Sequence, residues 1–124
     1  MERPAIRTEF LSDVLITATE GGINYWAQVT KRRWERRGPD GYEGAVMDVG
    51  LRDLEDGDKL HYVTHEMLEK GIALILSTET RFQVREDLYR MILLGHYKND
   101  AAEIDAEAAD VIVQAAIFGE IVYS

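Results

Sequence analysis

Apolar residues first recur at helical spacing from Phe10, with Leu11, Val14, Leu15 and Ala18 following on one face. Thr8 fits the N-cap of that helix and Glu9 its first turn. Gly21-Gly22 is expected to stop it, because glycine takes the left-handed C-cap conformation without a Cβ clash. From Ile23 the period changes to two. Ile23, Tyr25, Ala27 and Val29 then share one face of a predicted strand, and Asn24, Trp26, Gln28, Thr30, Arg32 and Trp34 share the other. Gly38-Pro39-Asp40-Gly41 is a turn signal, residues 45–52 a second strand, Asp56-Gly57-Asp58 a hairpin turn and residues 59–63 a short third strand. Thr64 is placed to cap a second helix, whose apolar stripe is Met67, Leu68, Ile72, Leu74 and Ile75. Gly71 inside it implies close packing against a neighbour. A third helix is expected over residues 85–97, with Leu88, Met91, Ile92 and Leu94 inward. Asp105 caps a last helix, buried along Val111, Ile112, Ala115, Ala116 and Phe118 and ended by Gly119. Residues 120–123 fit a frayed turn or a short strand equally. The pattern therefore predicts an α+β fold in the order α-β-β-β-α-α-α: a three-stranded antiparallel meander with about four helices on one face.

The chain has 124 residues, which fits one domain over 1–124, with disorder expected only at the ends, such as residues 1–7. It contains no cysteine, which excludes disulfides, thiolate nucleophiles and cysteine-based zinc sites. The N-terminus has no apolar run of the secretory type, and no apolar run approaches the ~18 residues that would span a bilayer. A cytoplasmic protein without a membrane partner is the expectation.

Charge changes the picture more. The net charge is −9, yet Lys31, Arg32, Arg33, Trp34, Glu35, Arg36 and Arg37 together carry five of the fourteen basic residues. Segregated charge steers association. With Trp26, Gln28 and Trp34 on the face left over by the helices, Trp26, Gln28, Arg32, Arg33, Trp34, Arg36 and Arg37 form a candidate interface for self-association as a dimer or for a protein partner, since tryptophan and arginine are enriched in binding hot spots. Arginines around Trp34 would also suit a single nucleic-acid strand, but the acidity of the rest of the chain opposes a polyanion, so nucleic acid is not expected.

Other constellations lead less far. Asp53, Glu55, Asp56 and Asp58 imitate a calcium loop, but its sixth and twelfth positions would be Asp58 and Thr64 in place of glycine and glutamate. His61 and His65 are four apart, but Thr64 divides them between a strand and a helix, so no metal site is expected. His96 near a helix end is read as a favourable contact with the helix dipole. Asp110 and Gln114 lie one turn apart; they are either a solvent face or, with Tyr25 and Trp26, a small-ligand site. No set pairing a nucleophile with a base is present, and neither a catalytic residue nor a cofactor is assigned.

Two stretches, Gly21-Gly22-Ile23-Asn24-Tyr25-Trp26-Ala27 and residues 109–123 (Ala-Asp-Val-Ile-Val-Gln-Ala-Ala-Ile-Phe-Gly-Glu-Ile-Val-Tyr), resemble a group of small proteins of actinobacterial phages, prophages and plasmids. The resemblance hands over no site residue. It implies a small acidic protein that acts by binding. The leading reading is a non-enzymatic interaction protein that blocks or modulates a host or defence protein, with carboxylates such as Asp100, Glu103, Asp105, Glu107 and Asp110 imitating DNA phosphates. The alternatives are a nucleotide-type ligand binder or sponge and a small enzyme of unrecognised type.

Overall fold

The computed structural model describes residues 4–35, 44–79 and 82–124. Arg36, Arg37 and the Gly38-Pro39-Asp40-Gly41 turn lie outside the described residues. The elements are α1 (Ala5–Thr17) continued by a π-helical turn (Ala18–Gly22), β1 (Ala27–Glu35), β2 (Ala45–Asp53), β3 (Lys59–Thr64), α2 (His65–Leu76), α3 (Glu86–Lys98), a 3-10 turn (Ala101–Glu103) and α4 (Ala106–Phe118). The order is α-β-β-β-α-α-α, the expected α+β arrangement, with an antiparallel sheet ordered β1-β2-β3. No helix among the described residues is long and apolar enough to cross a membrane.

The local signals act largely as their chemistry requires. Thr64 Oγ1 accepts the Met67 N–H at 3.2 Å, and Asp105 Oδ1 accepts the Ala108 N–H at 2.7 Å, so both are working N-caps. Gly119 closes α4 in the left-handed conformation (φ 73°). The connection between β2 and β3 runs over residues 54–58; within it Gly57 and Asp58 both have positive φ, and the Lys59 N–H closes the turn on the Asp56 carbonyl at 3.1 Å. α1 starts earlier than expected. Pro4 occupies its N-cap and Ala5, Ile6 and Arg7 are helical, while Thr8 is buried within the first turns instead of capping. Proline lacks the N–H that a helix start leaves unpaired, so it sets the boundary better than Thr8.

The core lies between the sheet and the helices. Val49 and Leu51 of β2, Val63 of β3 and Ala27 of β1 meet Leu11, Val14 and Leu15 of α1, Leu68 and Ile72 of α2, and Ile112 of α4. α2 and α4 approach so closely that a Cβ on Gly71 would come within 2.8 Å of the Ala116 nitrogen and 3.0 Å of the Ile112 oxygen. That is the close packing the glycine implied. α4 departs from the amphipathic reading. Every residue from Ala108 to Ala115 is buried, so it is a central helix covered on all sides.

β1 departs too. The strand begins only at Ala27; residues 23–26 form a turn in which the Trp26 and Ala27 N–H groups both bond the Ile23 carbonyl. Register shifts then fall between Val29 and Lys31 and between Arg33 and Trp34. Each unpaired residue inverts the in/out alternation. Gln28 pairs Arg52, Lys31 pairs Gly50 and Arg33 pairs Asp48 on the face away from the helices. Arg32 pairs Val49 and Trp34 pairs Val46 on the helix side, beyond the end of the helical cover. The strict two-residue alternation expected through residue 34 is therefore broken at Thr30.

Candidate functional site

Trp26 is fully buried, not on an outer face. Its ring stacks on Tyr123 with centroids 5.0 Å apart and tilts against Phe118 at 5.7 Å. Its Nε1–H donates to Asp110 Oδ1 at 2.9 Å. The reason is positional: Trp26 precedes the strand, and the turn over residues 23–26 swings its ring beneath α4. Trp34 is 57% exposed and Gln28, Arg32 and Arg33 are exposed, but Arg32 and Trp34 lie on the opposite side of the strand from Gln28 and Arg33, so the single face expected for them is split.

Tyr25, Asp110 and Gln114 do come together, as the ligand reading required, but with one another. The Tyr25 hydroxyl donates to Asp110 Oδ2 at 2.5 Å, and Gln114 Nε2 donates to Asp110 Oδ1 at 2.9 Å and to the Tyr123 carbonyl at 3.0 Å. Gln114 Oε1 accepts the N–H groups of Val122 and Tyr123, both at 2.8 Å. Asp110 and Gln114 are buried, so the solvent-face reading of this pair is corrected as well. The cause is residues 119–124, which turn back after Gly119 and cover that side of α4. They are neither helix nor strand. Tyr123 extends the network: its hydroxyl donates to Asp53 Oδ2 at 2.8 Å, and Asp53 also accepts the Glu55 N–H at 3.0 Å. Burial and the bond to Asp110 push the Tyr25 hydroxyl well above the ordinary phenol range, and the bond to Asp53 pushes that of Tyr123 up to about 12, so both are donors at neutral pH.

Beside this network opens a cleft of about 980 Å³. Its walls are Gly21 and Gly22 of the π turn, Phe82, Gln83, Val84 and Arg85 before α3, Leu88, the Ala106–Glu107 end of α4 with Asp110 and Val111, and Ile121, Tyr123 and Ser124 of the tail, with Tyr25 at the rim. Arg85 is held in this wall by two carboxylates. Its Nη1 and Nη2 each donate to Glu107 at 2.9 Å, and Nε and Nη2 donate to Asp87 at 3.0 and 2.8 Å. Hydrogen bonding to the two carboxylates raises the Arg85 guanidinium above its ordinary range, and Arg85 holds the Asp87 carboxyl down at about 2. Sequence reasoning missed Arg85, Glu107, Phe82, Ile121 and Tyr123 as neighbours. Nothing local announces them, because the tail, the approach to α3 and the start of α4 meet only through tertiary packing.

The remaining candidates resolve differently. His61, on β3, packs edge-on against Phe118, and His65, at the start of α2, places Nε2 2.8 Å from the Val46 carbonyl. No group of metal-ligating side chains occurs among the described residues. His96 does not serve the helix dipole as a cation: its Nδ1 lies 2.8 Å from Arg7 Nη2 and must accept that bond. Burial and the Arg7 charge lower its proton affinity. The acidic row is largely engaged. Asp100 and Asp105 cap backbone N–H groups, Glu103 is 3.6 Å from Lys98 Nζ, Glu107 binds Arg85, and Asp110 is buried.

The face of the sheet away from the helices is the other distinctive surface. Leu60 and Tyr62 of β3 stand 59% and 58% exposed there, with Gln28, Lys31, Arg33 and Arg52 around them. Tyr62 lies across Gly50, where a Cβ would meet its ring at 3.3 Å and Thr30 Oγ1 at 2.8 Å. Arg33 is tied to Asp48 at 2.6 Å, whereas Lys31 and Arg52 form no ion pair among the described residues.

Compared with protein-family models, with curated proteins and with solved structures, the chain finds no match in any of the three.

Proposed function

We propose that this is a non-enzymatic interaction protein whose contact surface is the open face of its sheet, and that its partner presents an acidic surface with an apolar anchor. The observation that carries this reading is the pairing of two well-exposed apolar side chains, Leu60 and Tyr62, with the cations Lys31 and Arg52 on one face of a chain whose net charge is −9, where Arg33 is balanced by Asp48. An exposed apolar patch with a polar rim is the anatomy of a protein contact, and a rim of one charge sign selects a partner of the opposite sign. The phage-type resemblance of residues 21–27 and 109–123 supports a host or defence protein as that partner. The DNA-imitating version draws little support, since its carboxylates serve caps, ion pairs and the core. A symmetric dimer through the same face would set one cationic face against a second copy of itself, which costs affinity. The dimer expected through Trp26 and Trp34 loses its basis with Trp26 buried.

The test uses a fluorescein-labelled, glutamate-rich peptide with leucine at every third position, followed by anisotropy. Wild type should bind it. The Leu60→Ser/Tyr62→Ser and Lys31→Glu/Arg52→Glu variants should each lose about tenfold or more in affinity. Raising salt from 0.1 M to 1 M, which shortens the Debye length from ~10 Å to ~3 Å, should weaken wild type most. Tighter binding of the lysine-rich counterpart peptide, or no effect of either variant, would overturn the proposal.

A further inference from the structure

We propose that the cleft between residues 82–88, the start of α4 and residues 119–124 is a second, independent binding site, and that it takes an uncharged, largely apolar small molecule with a ring system. Its volume, about 980 Å³, lies at the upper end of the range for small-molecule sites, roughly 300–1,000 Å³. Its lining includes the buried apolar side chains of Leu88 and Val111 and the aromatic rings of Phe82 and the half-exposed Tyr25.

The charge state of the lining decides the class of occupant. Arg85 gives its donors to Asp87 and Glu107, and both oxygens of Asp110 accept from Trp26, Tyr25 and Gln114. An entering phosphate would have to draw Arg85 off two carboxylates and then sit beside Glu107. An entering cation would have to displace Arg85 from Glu107. Either exchange breaks charge-assisted bonds that are already made, so the described lining favours a ligand without charge over the nucleotide expected from sequence.

Gly21 supplies a separate observation. Its φ lies outside the left-handed region, and a Cβ built there meets nothing within 4 Å. The backbone therefore does not require glycine at this position. Gly21 lies exposed in the cleft wall, so a side chain introduced there meets open space rather than packed neighbours. Gly22 differs, because a Cβ there would strike the Ala106 carbonyl oxygen at 2.6 Å.

The experiment titrates the whole protein with N-phenyl-1-naphthylamine, an uncharged apolar fluorophore. Wild type should give a saturable, blue-shifted rise in emission at micromolar concentration. Gly21→Phe, which puts a large ring at the cleft wall where a Cβ has no neighbour within 4 Å, should bind about tenfold more weakly or not at all, with an unchanged circular dichroism spectrum and melting temperature. ATP should not displace the probe. Amide shifts in labelled wild type should centre on Gly21, Gly22, Leu88 and Ala106, which keeps the test decisive if Gly21→Phe folds poorly. Leu60→Ser/Tyr62→Ser should leave probe binding intact, separating this site from the sheet face. Absence of saturable emission, equal binding by a folded Gly21→Phe, displacement by ATP or shifts centred elsewhere would each overturn the proposal.

Discussion

Asp110 sits at 6% exposure and accepts from an indole, a phenol and an amide, so its carboxylate is matched by protein donors on every side. Gln114 works the other way round, using its amide to hold the backbone of residues 122 and 123. Replacing Gln114 by leucine should therefore release the tail before it unfolds the domain. Hydrogen exchange should show the Val122 and Tyr123 amides losing protection while those of α4 keep theirs; unchanged protection would mean that something else holds the tail. The two tryptophans give a second contrast. Trp26→Ala empties a buried, stacked site and removes a bond to Asp110, which should cost about 3–5 kcal/mol in urea denaturation. Trp34→Ala at an exposed strand end should stay within about 0.5 kcal/mol. Equal effects would contradict the placement of Trp26. The sequence showed that Tyr25, Trp26, Asp110 and Gln114 could meet. It could not show that they saturate one another, because the groups that complete the network come from residues 53 and 122–123, remote in the chain.

Among the elements, those governed by local chemistry were legible and those governed by tertiary contact were not. Thr64, Asp105 and Gly119 mark helix ends by bonds made within a few residues, and the Asp56-Gly57-Asp58 turn follows from glycine's tolerance of positive φ. The bulge at Thr30 has no such signal. Its effect is to split a face that strict alternation would have kept whole, and it does so opposite Gly50, where the partner strand lacks a side chain. The helical layer has its own titratable joint. Arg7 of α1 donates to Glu69 of α2, to Asn99 Oδ1 at 2.8 Å and to the carbonyl and ring nitrogen of His96 in α3. Burial and Arg7 lower the folded-state proton affinity of His96, while Glu69 opposes them. The unfolded chain takes up that proton near the ordinary value of about 6.5, and the folded chain only at lower pH. Unfolding then binds a proton in between, so this contribution to stability is full above about pH 6.5 and declines as the pH falls, until folded His96 itself protonates. Thermal melts across this window should show the decline, and His96→Gln, which can still accept from Arg7, should flatten it. A wild-type midpoint that rises on acidification, or a variant with the same slope, would contradict the joint.

At the scale of the molecule, helices cover one face of the sheet and leave the other with cations around two exposed apolar side chains, on a protein that is acidic elsewhere. Charge segregation was visible in the linear sequence as the Lys31-to-Arg37 run, but its place was not, since the surface depends on which residues of β1 the bulge turns outward and on Leu60 and Tyr62 from β3. The most direct measurement of the central claim is a map of amide shifts in isotope-labelled protein titrated with the acidic, leucine-bearing peptide. Shifts should concentrate at Gln28, Lys31, Arg33, Arg52, Leu60 and Tyr62, with α3 and the cleft unmoved. Shifts centred on α3, α4 or the tail, with the open sheet face silent, would contradict it.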